Sequence, residues 1–413
     1  MPRIAKGSAL SALSQLAADI TQKTTRFPLI NCLVLAFLLL PTAVGAVEVT
    51  AAPSKLEKPL ADRVAGHDYP AIARPWGLCL DFSKPERQQE ILKHDISWES
   101  IGGERNGVGD RPIGANWAGK YIALGTTFAN LNDCLERRRK LLAANPNAIF
   151  LAELRWRDYT DSSLPKDHEF WKRDRAGNRI VATGDKMKEP RYYLDTTNNP
   201  NVAQHLLTQA KCIVESGAYD GVFLDWTGPS VAFLKQLRQA LGSRYLIIIN
   251  MNYKYDADRA QYVNGAYLEC WKTNNPATLE QWEKTVQSPR INVLDMMGEP
   301  VGCTGSPDLP RMRNTTTYGL VHSDGYVLYG DHFHKHRWFF FWDVKLGKPL
   351  AEGVPIQGDS YQRAFEKGSA VNNSNNQSVT VTFPQKVKRL SDSSLGSTFT
   401  IPGHDGDIFL KID

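Results

Sequence analysis

The stretch GAYDGVFLDW, residues 217–226, contains an unbroken apolar run that stops on an acid and a tryptophan. A run with no polar alternation suits a strand covered on both faces, as in a parallel sheet. It is preceded by VAQHLLTQAKCIVES (202–216) and followed by VAFLKQLRQALG (231–242), where apolar residues recur at three- and four-residue spacing with polar residues between. That periodicity predicts amphipathic helices, so this part of the chain reads as helix, strand, helix. The same rhythm extends outward in both directions. Strands are expected at WGLCLDF (76–82), DISWESI (95–101), AIFLAEL (148–154), GVFLDW (221–226), YLIIINMN (245–252), GAYLECW (265–271), INVLDMM (291–297) and GYVLYG (325–330). Further helical patterns are NLNDCLERRRKLLAA (130–144) and TLEQWEKTV (278–286), while KYIALGT (120–126) competes with DISWESI for the second strand. The span from Trp76 to Gly330 matches the roughly 250 residues of a (β/α)8 barrel. The expected fold is therefore α/β, a TIM barrel. From about Leu346 the pattern changes to short alternating runs with asparagine, serine and glycine turns (SAVNN, QSVTVTF, STFTIP, DIFLKI). These predict a small C-terminal antiparallel β-domain over 346–413, after a barrel over 76–345.

In such a barrel the residues at the C-terminal strand ends form the functional face. Here the apolar runs break on acids and amides: Asp81, Glu153 with Arg155, Asp225, Asn250 with Asn252, Glu269, Asp295 and Asp331. A polar cleft on one barrel face is expected. Glycosidic bond cleavage needs two carboxyl groups, one protonated toward the leaving oxygen and one ionised as nucleophile or base. Asp225 and Glu269 are the best pair, because each closes a Gly-initiated strand and each is closely followed by a tryptophan, Trp226 or Trp271, suited to stack on sugar. Asp81, Asn250, Asn252 and Asp295 are expected as contacts to sugar hydroxyls. Glu153 and Arg155 read equally as sugar contacts or as an internal ion pair. Asp225 is expected as an ionised nucleophile and Glu269 as a proton donor kept protonated beside Tyr267 and Trp271, giving retention. Inversion, with Asp225 as base, is the alternative.

Composition limits the classes. The 413 residues are 42% hydrophobic and 23% charged, with a net charge of +5, which excludes disordered, collagenous and multi-span membrane classes. Four bases (Arg3, Lys6, Lys23, Arg26) against Asp19 in the first 46 residues carry most of that charge, so no polyanion partner such as nucleic acid is expected. Those bases precede LINCLVLAFLLL, flanked by Pro28 and Pro41 and followed by Ala43, Gly45 and Ala46. Residues 1–46 therefore read as a signal peptide and 47–75 as a linker, an uncleaved anchor being the alternative. A secreted or periplasmic monomer, not inserted in a membrane after cleavage, is expected. Beyond the leader, Cys79, Cys134, Cys212, Cys270 and Cys303 are odd in number and widely spaced, so no disulfide framework is expected.

GAYDGVFLDW, LDTTNNPNV (194–202), FWKRDRAGNRI (170–180), LGKPL and YQRAFEKGSAVNN (361–373) together resemble glycoside-hydrolase-like barrel families, nearest to hypothetical glycosyl hydrolase family 15. The resemblance runs from about Trp76 to Ile412. It implies a TIM barrel with a C-terminal β-domain, a polysaccharide or oligosaccharide substrate, and Asp225 and Glu269 as the matching fourth- and sixth-strand carboxylates. It names no sugar. Relatives read Asn-Pro where this chain has Asn372 and Asn373, a difference expected to touch only a turn.

Other chemistries find weaker support. DHFHKH (331–336) has three histidines, but metal-dependent barrels gather ligands from several strand ends, so a surface loop or substrate contact is expected. No G-x-S-x-G elbow, P-loop or dinucleotide fingerprint is present, and no cofactor is expected. The run Glu136 to Lys140 reads as a solvated helix face, Asp195 as a turn into the next helix, and Cys270 as a packing residue. Besides a hydrolase, a non-catalytic carbohydrate-binding barrel and a metal-assisted barrel hydrolase remain open.

Overall fold

The computed structural model describes residues 57–78, 89–102, 111–182, 189–269, 271 and 276–412. Eight parallel strands follow one another around a sheet: β1 (Ala73–Pro75), β2 (Ile96–Ser100), β3 (Ile149–Glu153), β4 (Gly221–Leu224), β5 (Leu246–Asn250), β6 (Gly265–Leu268), β7 (Val293–Met297) and β8 (Tyr326–Gly330). A parallel bridge between Ile72 and Val327 brings the first strand to the last, with Val327 N donating to Ala71 O at 2.9 Å. Among the described residues the α-helices are α1 (Leu60–Gly66), α2 (Leu131–Ala144), α3 (Pro200–Glu215), α4 (Val231–Leu241), α5 (Ala257–Ala260), α6 (Pro276–Thr285) and α7 (Leu309–His322).

Strand alternation divides the core. Ile96, Trp98, Ile149, Leu151, Phe223, Leu246, Ile248, Tyr267, Val293 and Leu328 fill the barrel interior. The residues between them, such as Phe150, Val222, Leu224, Ile249 and Leu268, pack outward in the layer that includes the helices. Both faces are thus buried, which is why the strands read as continuous apolar runs. Local signals set the helix ends: Asn199 accepts from Asn201 N at the start of α3 with Pro200 behind it, and Ser230 accepts from Phe233 N in α4.

Three expectations change, and the competition for the second strand is settled in favour of the expected one. The first strand is Ala73–Pro75 rather than 76–82, and Trp76 leaves it with φ of 46°; residues 79–82 lie outside the described residues. Part of the expected linker is ordered as α1 and β1. DISWESI supplies β2, while within KYIALGT only a 3-10 turn forms, Ile122–Leu124. Arg138, in the run read as solvated, is buried and pairs with Asp220 at 2.7 Å. Asp220 precedes β4 at the amino-terminal end of the barrel, where Arg63 of α1 also binds it and Phe150 N donates to it. Only Arg139 and Lys140 of that run form the expected exposed pairs, both with Glu136.

The C-terminal strands β9 (Val354–Gln357), β10 (Ser360–Phe365), β11 (Gly368–Asn373), β12 (Val379–Arg389), β13 (Leu395–Ile401) and β14 (Asp405–Lys411) form one antiparallel sheet, ordered β9-β10-β11-β14-β12-β13. Helix α7 is gripped by it. Asn314 donates to Asn373 O and Asp405 O, and Arg313 binds Asp405. Asn372 and Asn373 are accordingly no exposed turn: they are the buried end of β11, and Asn372 Nδ2 reaches Asn314 O at 3.0 Å. Among the described residues Cys134 and Cys212 are free thiols and Cys303 is disulfide-bonded, a single bridge where no disulfide framework was expected.

Candidate active site

Period-two alternation carries the interior set one step further to the carboxyl-terminal rim. Two residues beyond Leu151, Phe223, Ile248, Tyr267 and Val293 stand Glu153, Asp225, Asn250, Glu269 and Asp295. The register staggers them. Glu153 is level with Phe223, Asn250 with Tyr267, and Asp295 with Leu328, so some point into the floor and others reach the opening.

Asn250 is the hub. Its Nδ2 donates to Asp225 Oδ1 at 2.9 Å and to Glu269 Oε2 at 2.5 Å. Its Oδ1 accepts from Asn252 N at 3.0 Å, which fixes which end of the amide faces the carboxyls. Asn252 holds φ of 52° to do so. The facing oxygens of Asp225 and Glu269 are therefore no farther apart than those two bonds laid end to end.

The carboxyls sit in opposite electrostatic settings. Burial, with the charges of Glu153 and Glu269 adding to it, pushes Asp225 up to about 6 against hydrogen bonds from Asn250 and the Trp226 backbone. Burial alone would raise Glu269 too, but His334 and Asn250 outweigh it and hold Glu269 below the usual carboxylate range. His334 Nε2 meets Glu269 Oε1 at 2.9 Å and its Nδ1 meets Asp295 Oδ2 at 2.6 Å. Although burial opposes it, the charges of Asp295 and Glu269 raise His334 to about 10. These shifts run opposite to the expected division of protons, an ionised Asp225 and a protonated Glu269, because the cation stands beside the glutamate.

Several expected sugar contacts are internal. Asp295 is fully buried under His334 and also accepts from Tyr267 OH. Glu153 takes the ion-pair reading: Arg155 Nη1 binds it at 3.0 Å and Trp76 Nε1 at 2.9 Å, with Ser100 Oγ donating as well. Arg155 also binds Asp158 at 2.9 Å, in the small sheet formed by Asp158–Thr160 and Arg191–Tyr193. Asn250 is buried and spends its amide on the carboxyls, while Asn252 is half-buried. Trp271 is only 2% exposed and packs in the outer layer; β6 ends at Leu268, so alternation no longer governs its side chain. Trp226 is half-buried beside Asp225, with the Arg157 guanidinium 3.7 Å over its ring. A small cleft between them is lined by Arg155, Trp156, Asp225 and Trp226. Asp81 and Cys270 lie outside the described residues. Asp195 receives Asn198 N at 3.1 Å, the turn expected of it.

Trp76, Ser100 and His334 were not among the expected site residues. The Trp76 ring lies 5.4 Å from that of His334 and also packs edge-on against Trp98, Phe223 and Tyr267. The only signal for His334 was the histidine run itself.

Comparison with protein-family models finds no match, and neither does comparison with curated proteins. Among solved structures the chain is similar to an α-amylase from Lactobacillus plantarum, with 12% identity and a TM-score of 0.52 over 86% of this chain and 100% of that one. It is similar to an α-amylase from Malbranchea cinnamomea, with 10% identity and a TM-score of 0.52 over 86% and 97%. A pullulanase from Anoxybacillus, complexed with maltotriose, aligns at 9% identity and a TM-score of 0.50 over 86% and 70%. At these identities the likeness is one of fold.

Proposed function

We propose that this chain is a glycoside hydrolase that cleaves a polysaccharide or oligosaccharide by retention, with Asp225 as acid/base and Glu269 as nucleophile. The observation that carries the reading is the pair of carboxyls held on one Asn250 amide at the functional end of the barrel. That spacing supports retention, whose carboxyls stand about 5–5.5 Å apart, over inversion at about 6.5–9.5 Å. The fold's likeness to amylases and a pullulanase adds weight by analogy. The sequence motifs favour hypothetical glycosyl hydrolase family 15 as the nearer relation.

In the first step the Asp225 carboxyl gives its proton to the leaving glycosidic oxygen while a Glu269 oxygen bonds to the anomeric carbon. The C–O bond to the leaving sugar breaks, giving a glycosyl ester and a free hydroxyl. In the second step the Asp225 carboxylate takes a proton from water. The water oxygen bonds to the anomeric carbon and Glu269 leaves as carboxylate. An acid poised near 6 suits this work in mildly acidic solution. Activity should fall as pH rises through about 6, when Asp225 loses its proton. Trp226, half-buried beside Asp225 with Arg157 over one face, is a candidate aromatic contact for a sugar ring. The leader over residues 1–46 favours action outside the cytoplasm, and the exported form should begin near Val47.

The test is a panel of bacterial-type and plant polysaccharides, read by mass spectrometry of released oligosaccharides. Wild-type protein should release products from at least one, and Asp225→Asn and Glu269→Gln should each lose more than about 100-fold. Bound but uncleaved polysaccharide would favour a carbohydrate-binding barrel and overturn the enzymatic reading, as would unchanged turnover in both variants.

A further inference from the structure

We propose that His334 is a positioning residue for Glu269: a doubly donating imidazolium, clamped between Glu269 and Asp295, that fixes the direction and ionisation of the nucleophile. The proposal rests on the role given to Glu269 above.

The geometry carries it. Both ring nitrogens meet carboxylate oxygens, Nε2 with Glu269 at 2.9 Å and Nδ1 with Asp295 at 2.6 Å. A neutral imidazole has one N–H and leaves one of two carboxylates facing a lone pair; the imidazolium donates to both. The strands that face the ring present it with carboxylates. From β6 come Glu269 and Tyr267, whose OH donates to Asp295 and lies 3.0 Å from Nδ1. From β7 comes Asp295, and from the segment after β1 the ring of Trp76, tilted against the imidazole. On its own loop, His332 lies close enough to act on Glu269 electrostatically, and the nearest acid is Asp331.

The loop is built to hold the ring there. Asp331 is fully buried, and its carboxylate accepts from Phe333 N at 2.7 Å, Lys335 N at 2.9 Å and Gly302 N at 2.8 Å. Asp331 O accepts from His334 N, closing a tight turn. His334 itself sits at φ of 62°, a left-handed conformation unusual for a non-glycine residue, and strain of this kind is retained where the surroundings over-determine it.

Two measurements test this, one independent of turnover. In 15N-histidine-labelled protein, the His334 ring should carry both protons at pH 8, and Asp295→Asn should move its titration toward that of a free histidine. A wild-type His334 ring that titrates near 6.5 overturns the proposal whatever the enzyme does. On a cleaved polysaccharide, His334→Gln should lower kcat about 10- to 100-fold with little change in KM, and move the acidic limb of the kcat/KM profile upward by at least one pH unit. A fall in kcat with that limb unmoved would mean that the ring serves only as scaffolding, and would overturn the proposal while leaving the carboxyl pair intact. Absence of turnover in the wild type with a doubly protonated ring would instead reject the hydrolase reading and retain the clamp.

Discussion

Asp225 is held near 6 in the folded chain mainly by burial and by Glu153, so its free energy of ionisation opposes folding. The folded value lies above that of an unfolded aspartate. Between about 4 and 6 the unfolded chain releases a proton that the folded chain keeps, and stability falls as pH rises through that window. Asp225→Asn removes the titration and retains an oxygen to face Asn250. Thermal melts should find this variant more stable than wild type at pH 8, with the difference closing toward pH 4. An equal or lower melting temperature at pH 8 would contradict the electrostatic reading. Asp225, Glu269 and Asn250 were legible in the sequence as polar stops on apolar runs. The ionisation of the two carboxyls was not, because that of Asp225 depends on burial beside Glu153 and that of Glu269 on His334, which arrives from another loop. Nor was the burial of Asp295, which follows from strand stagger rather than from any local pattern.

Among the elements, β6 shows how a strand aims a site. It begins at Gly265, where a Cβ would stand 1.3 Å from Ile291 O, so no side chain fits between the starts of β6 and β7. Tyr267 and Glu269 then follow at alternate positions on the inward side. Gly265→Ala has to push β6 away from β7 and drag Glu269 with it. A shift of about 1 Å at a reacting group costs about 100-fold in rate, so kcat should fall by that order in whatever fraction of the variant still folds. Unchanged activity would show that Glu269 is not held to this precision. The glycine was visible as the opening of GAYLECW, but its reason was not, since the clash is with a residue on the next strand. Trp271 failed for a related cause. Its motif matched Trp226 in sequence, yet the strand stops at Leu268 and sends its ring into the helix layer.

At the scale of the molecule, the two barrel ends divide their duties. At the amino-terminal end Asp220, Arg63 and Arg138 close a buried ion cluster, and removal of one partner from such a cluster strands the others at a cost of about 3–5 kcal/mol. At the carboxyl-terminal end the charges instead surround an opening where Asp225 and Glu269 keep partial exposure. The barrel and the C-terminal sheet were both legible, the first from eight buried runs and the second from alternation. The way α7 binds the sheet was not, because Asn314 and Asn372 meet across a long stretch of chain. The central claim is that one Asn250 amide joins an acid and a nucleophile. It is tested most directly by incubating the protein with the 2-deoxy-2-fluoro glycoside of the sugar released in the polysaccharide panel, then mapping the adduct by peptide mass spectrometry. The account predicts a glycosyl ester on Glu269, and an ester on Asp225 or on any other residue would contradict it.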